Sequence, residues 1–154
     1  TLDNRKITKE LTNKIKTTSI KNSVASLSAC TLCPRNCKAD RNSGKTGFCG
    51  VDSTIYLARA ALHMWEEPCI SGKKGSGAVF FSGCGLRCCF CQNHDIAIGS
   101  RGLPVTVGAA GEIFLELEGK GAANINLVTG THYVPQIIQA LDMAGEKGMD
   151  LPVV

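Results

Sequence analysis

The sequence predicts an α/β fold on a parallel sheet, preceded by a loop-rich cysteine segment. Three observations lead there. Ala78-Val79-Phe80-Phe81 is a short unbroken apolar run of the kind a buried strand shows. From that run onward strand-like and helix-like stretches alternate, which implies βαβ units. A tight loop carrying Cys84, Cys88 and Cys91 follows the first strand, at the carboxyl end where active sites of such sheets gather.

Residues 1–29 open with Ile7, Leu11 and Ile15 at helical spacing and then pass into Ser, Thr and Asn, giving a short amphipathic helix and a linker. Residues 30–77 form the cysteine segment, where Cys30, Cys33, Cys37 and Cys49 stand among Pro34, Gly44, Gly47 and Gly50. Such a composition needs something other than an apolar core of its own to hold it. Within this segment Ile55 to Leu62 reads as a strand or a short helix, and Ser71 to Gly77 as a turn or loop. Residues 78–154 carry a strand at 78–81, a helix at 109–117 with Ile113 and Leu117 on one face, a strand at 124–128, a helix at 134–146 and a strand at 151–154. The chain starts at Thr1 rather than Met and stops inside the apolar Pro152-Val153-Val154. Against the roughly 250 residues of a whole (βα) barrel, it reads as a fragment truncated after about the third strand.

At 154 residues and 44% apolar composition, the chain has the length and the core material of one soluble domain. No stretch approaches the roughly 20 apolar residues of a membrane span, and the opening residues lack the apolar heart of a secretory signal. A lipoprotein-like Leu27-Ser28-Ala29-Cys30 follows only a weakly apolar octet and is set aside. The net charge of +4 suggests nucleic acid until it is located: residues 1–22 hold six basic and two acidic residues and carry the whole excess. With no aromatic residue interleaved there, a solvated helix face is the better reading than a nucleic-acid patch.

Nine cysteines is a high and odd count, so they cannot all pair as disulfides. Short, clustered spacings in a chain without a secretory signal favour metal binding in a reducing compartment, and the cytoplasm is the expected location. The loop Cys84-x3-Cys88-x2-Cys91 is the strongest signal. Three thiolates can hold three irons of a four-iron cluster, whereas a closed electron-transfer cluster takes four. The fourth iron is then open to a ligand, which is what separates a catalytic metal site from a structural one. Cys30-x2-Cys33-x3-Cys37-x11-Cys49 supplies enough thiols for a second metal, either zinc or a closed auxiliary iron–sulfur cluster. Cys69 stands apart from both sets, and Cys89 reads as a small buried apolar residue.

Together with aromatic Phe90 before the last cysteine, this loop resembles the radical S-adenosylmethionine (SAM) superfamily. The likeness extends over about residues 30–154, through Cys-Thr-Leu-Cys-Pro-Arg-Asn-Cys (30–37), Gly-Phe-Cys-Gly (47–50), Ala-Arg-Ala-Ala-Leu-His (58–63), Trp-Glu-Glu-Pro-Cys-Ile-Ser-Gly (65–72) and Phe-Phe-Ser-Gly-Cys (80–84). These runs are similar to uncharacterised iron–sulfur proteins related to pyruvate formate-lyase activating enzyme. The resemblance implies a partial radical SAM barrel with a [4Fe–4S] cluster on Cys84, Cys88 and Cys91, and SAM chelating the open iron through its amino and carboxylate groups. It implies reductive cleavage of SAM to methionine and a 5′-deoxyadenosyl radical, an electron donor such as flavodoxin or ferredoxin, and a protein substrate on which a glycyl radical is installed. Phe90 would lie near the adenine, and Thr129, Gly130 and Thr131 near the SAM amino group. The superfamily commonly shows Gly-Gly-Glu at that place, whereas here Thr129-Gly130-Thr131-His132 stands there and no acidic residue occurs between Asn124 and Pro135. A second expectation, from another class, is a non-catalytic or degenerate iron–sulfur or zinc protein acting as an electron carrier or assembly partner.

Other motifs carry less. Gly44-Lys45-Thr46 imitates the end of a phosphate-binding loop, but the glycine required five residues earlier is Ala39 and no buried strand precedes it. The stretch 71–77 could bind an anion through its amides, yet a connector fits it better. His63 and His132 are lone histidines, for which structural roles outweigh catalysis.

Overall fold

The computed structural model describes residues 27–99 and 101–154. The helix expected around Ile7, Leu11 and Ile15 lies outside the described residues.

Four strands form one open mixed sheet in the order β3-β1-β2-β4. β1 (Ile55–His63) and β2 (Ser76–Phe81) pair antiparallel, from Leu57 opposite Phe81 to His63 opposite Ser76, with a bulge between Leu57 and Arg59. β4 (Ile125–Val128) runs parallel to β2, Gly77 opposite Ile125 and Phe80 opposite Val128. The expected parallel sheet is therefore correct for β2 and β4, while β1 pairs antiparallel with both β2 and β3. The run at 55–62, read as strand or helix, is a strand, and it ties the cysteine segment into the same sheet as β2.

β3 (Leu103–Val105) is not among the expected elements. Pro104 removes a ladder donor and argues against a strand in sequence, but it is tolerated on an edge, which is where β3 sits against β1. The strand expected at 151–154 is reduced to one parallel bridge, Ile125 to Val153. The backbone still lies along β4, with Ile125 N–H donating to Pro152 O at 2.9 Å and Val154 N–H to Ile125 O at 2.9 Å. Pro152 can offer only its carbonyl to that ladder.

Two short helices, α1 (Pro68–Ser71) and α2 (His94–Ala97), and two longer ones complete the fold. α3 (Val107–Gly119) begins two residues before the expected start because the Thr106 hydroxyl caps it, accepting from Ala109 N–H at 3.1 Å. α4 (Val134–Glu146) has the expected bounds, with proline in its first turn. Phe114 and Leu117 of α3 and Ile137, Ala140 and Ala144 of α4 pack with Val79, Phe81, Ile125 and Tyr133 into one core. The β2-α3-β4 crossover places the carboxyl ends of two parallel strands side by side, and the predicted loop leaves from the first of them.

Candidate metal and cofactor site

The cysteine loop is anchored at its root. Gly83 has φ +83°, and a Cβ there would lie 2.6 Å from Cys49 O, so the chain turns away from β2 where only glycine fits. Gly83 N–H donates to Ile96 O at 2.8 Å and Cys84 N–H to Cys49 O at 3.2 Å, fixing the loop between α2 and the cysteine segment. Cys84 is buried, and its Sγ accepts from Leu86 N–H at 3.4 Å. Beyond Arg87, which adopts φ +53°, Cys88 and Cys91 are half-buried, with Cys91 N–H donating to Cys88 O at 3.2 Å.

At the neighbouring strand end Thr129 takes φ +60°, and its Oγ1 lies 3.0 Å from Phe81 O, joining the ends of β4 and β2. Between the two ends lies a cavity of about 270 Å³ whose lining includes Cys33, Arg35, Cys84, Leu86, Thr129, Thr131 and His132. Three expected site residues, Cys84, Thr129 and Thr131, thus meet around one space. Gly130 packs beneath it; a Cβ there would fall 2.8 Å from Ile137 Cδ1. Phe90 is 83% exposed and stays outside the cavity, as do Cys88 and Cys91.

Among the described residues no three Cys, His, Asp or Glu side chains converge to hold a single metal ion. A cubic cluster asks for something else, because each thiolate takes a different iron and the sulfurs stand apart around it. Three thiols on one loop with an N–H directed at the first and open space beside it suit that donor set.

The four amino-terminal cysteines differ in their surroundings. Cys30 is buried with its Sγ 3.9 Å from Arg41 Nη1. Cys33 faces the cavity with Cys84. Cys37 and Cys49 approach each other over Gly47, where a Cβ would lie 2.8 Å from the first sulfur and 3.8 Å from the second. The backbone N–H of Ala39, then that of Phe48, lowers the Cys37 thiol below its ordinary pKa. Cys89 is exposed, which corrects its reading as a buried apolar residue: the turn at Arg87 carries it outward. Cys69 is exposed on α1.

Residues outside the expected ligand set hold this arrangement together. Arg41 is fully buried. Its Nη1 donates to His132 O at 2.6 Å, its Nη2 to Asp52 O at 2.6 Å and its Nε to the same oxygen at 3.1 Å, so one guanidinium links the cysteine segment to the turn after β4. Arg35 Nε donates to Gly85 O at 2.9 Å, clamping that segment onto the metal loop. Arg35 and Arg87 both stack on Phe48, at 4.0 and 4.7 Å from its ring centre. His132 is buried with Nε2 2.9 Å from Ser82 O. Burial, assisted by the Arg41 charge and opposed by the Ser82 hydrogen bond, pushes its pKa down to about 4. Proximity to the motif was a sequence signal for His132. Arg41 gave none, since its partners are backbone carbonyls far apart in the chain.

No family model and no solved structure match the chain. It is similar to the uncharacterized protein MJ0674 of Methanocaldococcus jannaschii, 27% identical over 132 residues that cover 81% of this chain and 37% of that protein. The chain thus spans well under half the length of that relative. No helix among the described residues is long and apolar enough to cross a membrane.

Proposed function

We propose that Cys84, Cys88 and Cys91 hold a [4Fe–4S] cluster with one iron open, and that the chain is the cluster-bearing part of a radical SAM protein. The observation that carries this reading is positional: the three-cysteine loop leaves β2 directly beside the end of parallel β4, and Cys84 shares a cavity there with Thr129 and Thr131. When bound, the reduced cluster would supply the electron that splits SAM into methionine and a 5′-deoxyadenosyl radical.

The chain's own contribution is placement and exclusion of water. Leu86 N–H would stabilise the Cys84 thiolate, and the tight Gly83 turn fixes where that sulfur stands. The segment around Cys33 and Arg35 roofs the cavity, held by Arg35 on Gly85 O and by Arg41 on His132 O. In this reading the substrate is a protein that receives a glycyl radical, the electron donor is a flavodoxin or ferredoxin, and the compartment is the reducing cytoplasm. The test is anaerobic reconstitution with iron and sulfide, reduction with dithionite and addition of SAM; 5′-deoxyadenosine is the expected product, and an intact SAM pool would count against it.

One observation favours a second reading. Cys33 lines the same cavity as Cys84, and a fourth thiolate there would close the cluster and make the protein an electron carrier. Under that reading Cys33→Ala opens the cluster to added ligands, whereas the wild-type spectrum ignores them.

A further inference from the structure

Cys37 is an exposed thiol in a strained stretch of backbone. The residues on either side of it, Asn36 at φ 45° and Lys38 at φ 56°, are both left-handed, a conformation that asparagine tolerates and lysine rarely takes. Hydrogen bonds hold them there: Asn36 N–H donates to Cys33 O at 3.0 Å and Lys38 N–H to Cys30 O at 3.0 Å. Backbone strain of this kind gathers at working sites.

Gly47 shows what the Cys37 side chain meets. Its φ is not positive, so its backbone would accept an ordinary residue and space alone selects glycine. A Cβ there would lie 2.8 Å from Cys37 Sγ and 3.8 Å from Cys49 Sγ, so both sulfurs stand within 4 Å of one point that the missing side chain leaves free. Cys37 is open to solvent, whereas Cys49 is 6% exposed. An accessible thiol beside a sheltered one is the arrangement of an attacking and a resolving cysteine.

We infer that Cys37 and Cys49 form a reversible thiol–disulfide site whose substrate is a low-molecular-weight disulfide. The Cys37 thiolate attacks one sulfur of that molecule, its S–S bond breaks, and one thiolate leaves. Cys49, having given its proton to solvent, then attacks Cys37 Sγ; the mixed disulfide breaks, the Cys37–Cys49 bond forms, and the second thiolate leaves. Both leaving groups take up protons from solvent, so the pair is oxidised by two electrons and the small disulfide is reduced to two thiols. A change of side-chain rotamer brings the sulfurs together. The bond ties Cys37 to the residue that seats the metal loop, since Cys49 O accepts from Cys84 N–H at 3.2 Å. The site stands whether or not that loop carries a cluster.

The test treats the purified chain, before any iron is added, with oxidised glutathione, traps the remaining thiols with N-ethylmaleimide and reads a tryptic digest by mass spectrometry. Cleavage after Arg35, Lys38, Lys45 and Arg59 isolates Cys37 in residues 36–38 and Cys49 in residues 46–59, so their cross-link has a mass of its own. Wild type should accumulate that link with little glutathione left on Cys37. Cys49→Ser should stop at glutathione on Cys37, and Cys37→Ser should leave the sheltered Cys49 unmodified. Gly47→Ala, whose Cβ takes the space between the sulfurs, should lose most of the link and keep glutathione on Cys37. In denaturant the links should scatter among neighbouring cysteines. A folded wild type that stops at glutathione on Cys37, keeps both thiols free, or forms the link no more than the denatured chain does would overturn the inference. So would a metal in the purified protein that Cys37→Ser and Cys49→Ser both release, which would make the two thiols its ligands.

Discussion

Replacing Arg41 should weaken the fold and the site together. Its guanidinium is fully buried and satisfies two backbone carbonyls, Asp52 O through Nε and Nη2 and His132 O through Nη1. In Arg41→Met both lose a charged donor. A stranded buried carbonyl costs about 1–3 kcal/mol. Asp52 O is only partly buried and water can replace its partner, whereas His132 O is enclosed. Removing the buried charge returns some desolvation energy. The net expectation is about 2–4 kcal/mol, or roughly 4–16 °C in Tm for a chain of this size. Arg41→Lys keeps the charge but can reach one carbonyl rather than two, so it should fall between. Thermal unfolding followed by circular dichroism measures both. Because Arg41 is what fastens the segment around Cys30 to the turn at His132, proteolysis within residues 27–54 should accelerate in the same order. An Arg41→Met protein within 0.5 kcal/mol of wild type, by the scale of ordinary surface changes, would refute the role given to this side chain.

Three other outcomes follow from the geometry. His132 titrates near 4 in the folded protein against an ordinary 6.5, so its contribution is full above pH 6.5 and is lost as pH falls through 4; wild-type apo-protein should lose up to about 3 kcal/mol more than His132→Gln over that window, and parallel pH–stability curves would contradict it. Gly83→Ala must place a Cβ 2.6 Å from Cys49 O at φ +83°, so a loss of about 2 kcal/mol or more in urea unfolding is expected, together with lowered iron retention. Metal analysis of Cys33→Ala and Cys37→Ala should give different results, because Cys33 faces the metal-loop cavity while Cys37 meets Cys49 over Gly47; identical metal loss in both would restore the four-cysteine site that the spacing suggests.

What could be read from sequence followed the range of the interactions. The β2-α3-β4 unit and α4 were legible because Val79, Phe81, Phe114, Leu117, Ile125 and Ile137 repeat with the periods of buried strands and helices. Edge pairing was not legible, since Pro104 argues locally against a strand that the free side of β1 makes possible. Cys84, placed by the strand-end argument, and Thr129 and Thr131, named only through the resemblance, line one cavity. That Cys33 lines the cavity while Cys37 and Cys49 lie about Gly47 could not be anticipated, because spacing records which thiols are near in the chain and not which side of the segment each faces. Arg41 and Arg35 bind backbone oxygens 11 to 91 residues away, and carbonyls leave no trace in composition.

The electron paramagnetic resonance spectrum of the reduced, reconstituted protein before and after SAM is added tests the central claim most directly. A [4Fe–4S] signal that changes on adding SAM, and that disappears with its iron in Cys88→Ala, is the expected result. A signal indifferent to SAM, or iron content untouched by Cys88→Ala, would contradict an open cluster on this loop.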